Sequence, residues 1–383
     1  MDSSRSVVVV VGTRPEAIKM APLVMALKND SGFSVQLVSS AQHNDLLTPA
    51  LNVFGLAPDV TLESSNSGGD LSRLHSQLLL RLSSAIGSID PDCVLVHGDT
   101  TTALAGATAS FYKLVPIGHV EAGLRTFHLS QPFPEEFNRQ SISRVAQWNF
   151  APTQSAKANL LSEGITDSSI FVTGNTVVDA LLWIVNEIEN NPELYLRLSL
   201  GLGDKLGFDP AEQSFVLFTG HRRESLGVGF EQIFAAVQDL AIAYSDIRFV
   251  FPVHPNPAVR GPAQSYLEHL NNVHLISPVS YDEFVFLMRL CLMIVTDSGG
   301  IQEEAPSLAK PVVVLRERTE RQEGLDHGLV RLGGTSRPAI VHCISSMLKD
   351  ATTGSLPRTP CNPYGDGNAS ARILDTLRRS LAP

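Results

Sequence analysis

The sequence predicts an α/β protein built as two Rossmann-like, doubly wound parallel-sheet domains, and three observations carry that expectation. Short apolar, β-branched runs alternate along the whole chain with stretches of helical spacing. Polar and glycine-rich residues gather just after the strand-like runs, where an open parallel sheet collects its ligands. The 383 residues are enough for two domains, each with its own core.

Val7–Val11 is a strand that breaks at Gly12-Thr13-Arg14-Pro15 and continues as the helical pattern EAIKMAPLVMALK. Ser34–Ser39 is a second strand, and residues 59–72, rich in Ser, Gly and Asp, read as a loop before a helix through Leu74–Leu82. Cys93–Val96 ends in His97-Gly98-Asp99-Thr100-Thr101-Thr102 and passes into a small-residue helix. Val115–His119 leads to Glu121-Ala122-Gly123-Leu124-Arg125. Further strands fall at 149–151, 170–173, 215–219, 248–251, 273–276, 292–295 and 312–315. A boundary after Gly174-Asn175-Thr176 gives domains at 1–175 and 176–368, with strand ends of both facing a shared cleft. Residues 351–368 read as a surface crossover, and the last helix, 369–381, as packing back on the first domain.

Hydrophobic residues make up 43% and charged residues 18%, as in ordinary globular proteins, and the net charge of −10 is evenly spread. With no basic domain, nucleic acid is not an expected partner. Four cysteines without CxxC spacing, two of them in apolar runs, read as reduced thiols rather than metal ligands or disulfides. The apolar run after MDSSRS is too short for a signal peptide or membrane span, so a cytoplasmic protein is expected. HExxH, Walker A and GxSxG motifs are absent, and Gly12-Thr13-Arg14 is not a dinucleotide fingerprint, which leaves no expected metal or nicotinamide.

The segment Cys291–Pro311 is the most informative. An apolar strand leads through Thr296-Asp297-Ser298-Gly299-Gly300 into Ile301-Gln302-Glu303-Glu304. A strand, a glycine turn and a helix start aim N–H groups at one spot and suit a phosphate, with Glu303 or Glu304 near a ribose. An ordinary helix capped by Asp297 or Ser298 fits the same residues. The other post-strand turns divide into two groups. Arg14, Lys19, His221, Arg222, Arg316 and Arg321 suit a diphosphate, and Asp99, Glu121 and Glu135 are carboxylates for proton handling.

The motifs GTRPEAIKMAPLV (12–24), HGDTTTALA (97–105), GHVEAGLRT (118–126), PEEFNR (134–139), VTGNTVVDALLW (172–183), GHRRES (220–225), TDSGGIQEEAPSLAKPV (296–312), RTER (318–321) and NPYGDGNAS (362–370) resemble, in colinear order, those of the bacterial non-hydrolysing UDP-N-acetylglucosamine 2-epimerases. The resemblance implies the two-lobed GT-B fold and an isomerase that needs no cofactor. It would interconvert UDP-N-acetylglucosamine and UDP-N-acetylmannosamine through elimination and re-addition of UDP, for surface polysaccharide synthesis. It also implies a homodimer. By the same resemblance Asp99, Glu121 and Glu135 handle protons and His221 stabilises the leaving diphosphate. Arg14, Lys19, Ser298, Gly299 and Gly300 hold the diphosphate, Glu304 the ribose, and Phe284 lies near the uracil. Arg316 and Arg321 approach the sugar nucleotide, and Gln42, Glu136, Arg222 and His254 match an activator pocket. A GT-B glycosyltransferase would share the cradle but have no use for three convergent carboxylates. The chain departs from the family at 322–329, at Val279 and at Phe133, near the sugar and the uridine.

Overall fold

The computed structural model describes residues 4–41, 44–63, 68–220, 228–253, 256–319, 321, 323–326, 328–357, 359–360 and 362–381. The chain divides into two compact units, residues 1–182 with 364–383, and 183–363. The first holds a seven-stranded sheet: β1 (Arg5–Val11), β2 (Phe33–Ser39), β3 (Val60–Thr61), β4 (Cys93–His97), β5 (Ile117–Val120), β6 (Trp148–Ala151) and β7 (Ile170–Val172), in the order β3-β2-β1-β4-β5-β6-β7. The second holds six: β8 (Phe215–Thr219), β9 (Arg248–Pro252), β10 (Val273–Ile276), β11 (Met293–Thr296), β12 (Val312–Val314) and β13 (Val330–Leu332), in the order β10-β9-β8-β11-β12-β13. Every strand pairing is parallel.

Each sheet is doubly wound. The chain steps outward from β1 to β3, then returns to the other side of β1 at β4; likewise it steps from β8 to β10 and returns to β8 at β11. Helices therefore cover both faces, and the central strands are apolar without alternation. Val7–Val11 are fully buried, as are Val94–Val96 and Met293–Val295. Between β1 and β4 the helix Thr101–Tyr112 packs close because its inward residues are small. A Cβ on Gly106 would stand 3.2 Å from Val96. No helix among the described residues is long and apolar enough to cross a membrane. Cys93 and Cys291 are buried free thiols, whose pKa values burial pushes up to about 12.

Two strands differ from the sequence reading. β3 falls inside the stretch read as a loop, because two residues carry no periodicity; β13, Val-Arg-Leu at a sheet edge, has too little apolar character to stand out. The expected surface crossover is narrowed at both ends, while residues 354–357 and 359–360 between them are mostly exposed. The helix Arg337–Thr353 runs into it, and Tyr364, 1% exposed, is buried against Val177, Val178 and Leu182. Beyond it the helix Ala369–Ser380 packs on the helix Arg14–Lys28. Its first turn is held by Asp179, whose carboxylate accepts from Ser370 N at 2.7 Å and Ala369 N at 3.2 Å.

Asp179→Ala removes both acceptors from a buried helix start and is expected to cost about 1–3 kcal/mol in urea unfolding. Asp375→Ala, which removes only an exposed ion pair to Arg378, leaves the unfolding midpoint unchanged.

Candidate functional site

In the first unit the sheet reverses its strand order between β1 and β4, and there the carboxyl ends of the strands are left uncovered by diverging connections. The turn after β1 opens the helix Arg14–Lys28 with a capping box, Thr13 and Glu16 bonding reciprocally. Glu16 does more than cap. One carboxylate oxygen accepts from Gly12 N at 2.9 Å, Thr13 N at 2.8 Å and the Thr13 hydroxyl at 2.9 Å. The other accepts from the Thr100 hydroxyl, in the turn after β4. Burial raises the Glu16 pKa, against the pull of these donors. The two turns that flank the reversal are thus one unit.

Glu121 follows β5 with φ of 65°, the left-handed region that a branched or long side chain rarely occupies. Its buried carboxylate receives the Lys19 ammonium and, at 2.8 Å, the Asn175 side-chain amide, with the His97 imidazole 3.6 Å away. Burial by itself would raise the Glu121 pKa, but Lys19 and His97 outweigh it and hold the carboxyl well below the usual range. Asp99, in the turn after β4, is paired with Arg139 through its carboxylate and accepts from the Asn138 amide at its carbonyl, 2.8 Å. The same turn is fixed from β5, where His119 Nε2 donates to the Gly98 carbonyl at 2.7 Å. Burial drives the His119 pKa down to about 3, so this ring is neutral. Glu135 starts the helix Glu135–Val145 one turn ahead of Asn138 and Arg139; its Oε2 is buried and has no hydrogen-bond partner among the described residues.

Other expected residues of this unit take different places. Lys19 is directed at Glu121, and Arg14 is half-buried in the first turn of its helix. Glu136 is fully buried and accepts from Thr126 N, Phe127 N and the Gln140 amide. Arg125, another post-strand cation, makes a bidentate pair with Glu163 at 2.7 and 2.9 Å and fastens its turn to the C-terminal end of the helix Gln154–Ser162.

In the second unit the reversal lies between β8 and β11, whose ends are joined by the Thr219 and Thr296 hydroxyls at 2.6 Å. The chain after β11 enters the short helix Gly299–Glu304. Ser298 stands at its N-cap but its side chain makes no capping bond; the residue's carbonyl accepts from the Gln302 amide at 3.1 Å. Gln302 is held in turn by the Thr319 hydroxyl at 2.7 Å. Arg321 donates through Nε to the buried Glu303 at 2.6 Å, and its guanidinium lies against Gly299 where a Cβ would otherwise be. Arg321 thus braces the Ser298–Gly300 turn. Glu304 is buried and accepts from the Tyr281 hydroxyl at 2.7 Å. Phe284 is half-buried one turn along from Tyr281. Arg316 borders a cavity of about 420 Å³ with Glu317, Gly334 and His342. His221, Arg222, Gln42 and His254 lie outside the described residues, as do Gln322 and His327 of the divergent loop.

Sequence reasoning missed Glu16, Arg139, His97, His119, Asn175 and Tyr281. Only Glu16 had a local signal, the T-x-x-E spacing of a capping box; the others act on residues distant in sequence.

Two Rossmann-like units, each with its polar groups at the strand-order reversal, define a nucleotide-handling α/β protein of GT-B type. Residues 25–378 match the family model of UDP-N-acetylglucosamine 2-epimerase, and the chain belongs to that family. It is 46% identical to the UDP-N-acetylglucosamine 2-epimerase of Escherichia coli over 98% of both chains. A probable UDP-N-acetylglucosamine 2-epimerase of Ralstonia nicotianae is 47% identical over 99% of this chain and 100% of its own. Among solved structures, the Neisseria meningitidis UDP-GlcNAc 2-epimerase bound to UDP-GlcNAc superposes with a TM-score of 0.92 at 41% identity, covering 98% of this chain and 100% of that one. The Methanocaldococcus jannaschii enzyme, in complex with UDP-GlcNAc and UDP, gives 0.83 at 30% identity over 98% and 99%.

A Cβ on Gly299 would stand 2.6 Å from Arg321 Nη1, whereas one on Gly300 would find nothing nearer than Glu304 Oε2 at 3.8 Å. Gly299→Ala is therefore expected to displace Arg321 from Glu303 and cost about 1–3 kcal/mol. Gly300→Ala is expected to be neutral or slightly stabilising. Urea unfolding followed by tryptophan fluorescence and circular dichroism compares the two.

Proposed function

We propose that this protein is a non-hydrolysing UDP-N-acetylglucosamine 2-epimerase that interconverts UDP-N-acetylglucosamine and UDP-N-acetylmannosamine. The observation that carries the reading is the unlike surroundings of carboxylates on one strand-end surface. Glu121 is kept as an anion by Lys19 and Asn175, while Glu135 has a buried oxygen that no described donor reaches. Inverting C2 requires a base on one face of the sugar and an acid on the other, and environments that differ in this way separate the two tasks.

In the forward direction one carboxylate removes the C2 proton as the C1–O bond to UDP breaks, leaving 2-acetamidoglucal and UDP. A second group delivers a proton to C2 from the opposite face, and UDP re-adds at C1, so no atom is lost or gained. Asp99, Glu121 and Glu135 are the proton carriers. Both described hydrogen-bond donors to Glu121, Lys19 and Asn175, meet Oε2, and the His97 ring lies 3.6 Å from the same oxygen, which leaves Oε1 for the exchange. The departing diphosphate is received by the Ser298–Gly300 turn with Arg14 and His221, where an uncommitted Ser298 hydroxyl and the N–H groups of the turn supply fixed donors. Lys19 is shared between the diphosphate and Glu121. Glu304, oriented by Tyr281, takes the ribose, and Phe284 flanks the uracil. Arg316 and Arg321, the latter also bracing the turn, approach the sugar nucleotide. Gln42, Glu136, Arg222 and His254 form the candidate activator pocket. The expected working form is a homodimer supplying N-acetylmannosamine units for surface polysaccharide.

Incubation with UDP-N-acetylglucosamine is expected to yield UDP-N-acetylmannosamine, with both resolved by proton NMR as nucleotide sugars. Accumulation of free N-acetylmannosamine would contradict the non-hydrolysing assignment, and no new sugar at all would contradict epimerisation. Asp99→Asn, Glu121→Gln and Glu135→Gln are each expected to lower kcat by about 10²–10⁴-fold with UDP affinity retained by calorimetry.

A further inference from the structure

Glu121 owes its placement to a residue outside the three carboxylates. Asn175 is 2% exposed and has a hydrogen-bond partner on each of three sides. Its side-chain amide donates to Glu121 Oε2 at 2.8 Å, and its side-chain oxygen accepts from Val177 N at 3.0 Å at the start of the helix Thr176–Asn190. Its backbone N–H donates to the Tyr364 carbonyl at 2.6 Å. The helix it opens carries the chain out of the first unit at 182/183, and Tyr364 is the first residue of the returning segment. The approach is close enough to require glycine on both sides. A Cβ on Gly174 would stand 3.2 Å from Gly365 Cα, and one on Gly365 would stand 3.2 Å from Asn175 N. One side chain thus touches the carboxylate while its backbone and cap are fixed by the two places where the chain passes between units.

We propose that Asn175 is a positioning residue for proton transfer at C2, holding Glu121 Oε2 so that Oε1 faces the substrate and keying that orientation to the two crossing segments. The proposal rests on the reading of Glu121 as a proton carrier. The groups that face Glu121 are Lys19 from the helix Arg14–Lys28, His97 at the end of β4, His119 on β5 and Asn175 itself. Two of these, Lys19 and Asn175, donate to Oε2, and Asn175 is the neutral one. Removing its N–H weakens the hold on the ionised carboxylate without altering the charge of Lys19 or His97, so the carboxyl becomes easier to protonate. A role confined to capping the helix would leave the carboxylate untouched.

Asn175→Asp separates the two roles, because it keeps the oxygen that caps Val177 N and replaces the donor with a second negative charge. It is expected to lower kcat by about 10²-fold or more with KM within about threefold. The limb of the kcat–pH profile that reports Glu121 is expected to move up by about one unit. Asn175→Ser, which can still cap but is too short to reach Glu121, gives the same loss and keeps the test open if the aspartate variant does not fold. UDP affinity and circular dichroism serve as controls on both. Unchanged kcat and pH profile in either folded variant, alongside an inactive Glu121→Gln, overturns the role of Asn175 alone. Wild-type turnover in Glu121→Gln overturns the role of Glu121 and this proposal with it.

Discussion

The reversal of strand order in the middle of each parallel sheet is the constraint from which the rest of the structure follows. At β1/β4 and at β8/β11 successive connections leave in opposite directions, so the strand ends between them are not roofed by helices. A protein gains from this an uncovered place where backbone N–H groups and short turns converge, but those turns must be stiffened by other means. In the first unit Glu16 supplies the stiffening by bonding the turns on both sides of the reversal. In the second, the Thr219–Thr296 contact and the Gln302–Thr319 and Glu303–Arg321 pairs play the same part.

Buried charge is handled differently in the two units. Glu121 has been taken out of water next to a cation and a neutral donor, and its left-handed backbone shows that the turn is held against its own preference. Such an arrangement is costly unless all partners are in place, which fits a group required to carry charge at a fixed point. Arg321 and Glu303, by contrast, close on each other, and the guanidinium uses the space left by Gly299. That pair shapes a turn. Removing either partner would leave an uncompensated buried charge beside the Ser298–Gly300 turn.

The alternation of strands and helices was readable because parallel strands buried on both faces are continuous apolar runs, as in Val7–Val11 and Leu292–Val295. Strands too short or too mixed for that signal, Val60–Thr61 and Val330–Leu332, were not. The turns that carry the candidate site were also readable, since Gly, Asp, Glu and Arg after a strand mark its end. What those side chains do was less so. Arg125 and Arg321 look alike in sequence to Arg14, yet the structure commits the first to Glu163 and the second to Glu303. Their partners lie 38 and 18 residues away, beyond any local pattern. Asn175 stood at an expected domain boundary and offered no sign that it reaches Glu121, 54 residues earlier.

The central claim is that carboxylates at the reversal of the first sheet exchange a hydrogen at C2 of the proposed sugar nucleotide with solvent. The most direct measurement is turnover of UDP-N-acetylglucosamine in D2O, followed by proton NMR of the C2 position in both nucleotide sugars. The account predicts deuterium at C2 of UDP-N-acetylmannosamine, and of the recovered UDP-N-acetylglucosamine as equilibrium is approached. Epimerisation with full retention of the original hydrogen at C2 would contradict it.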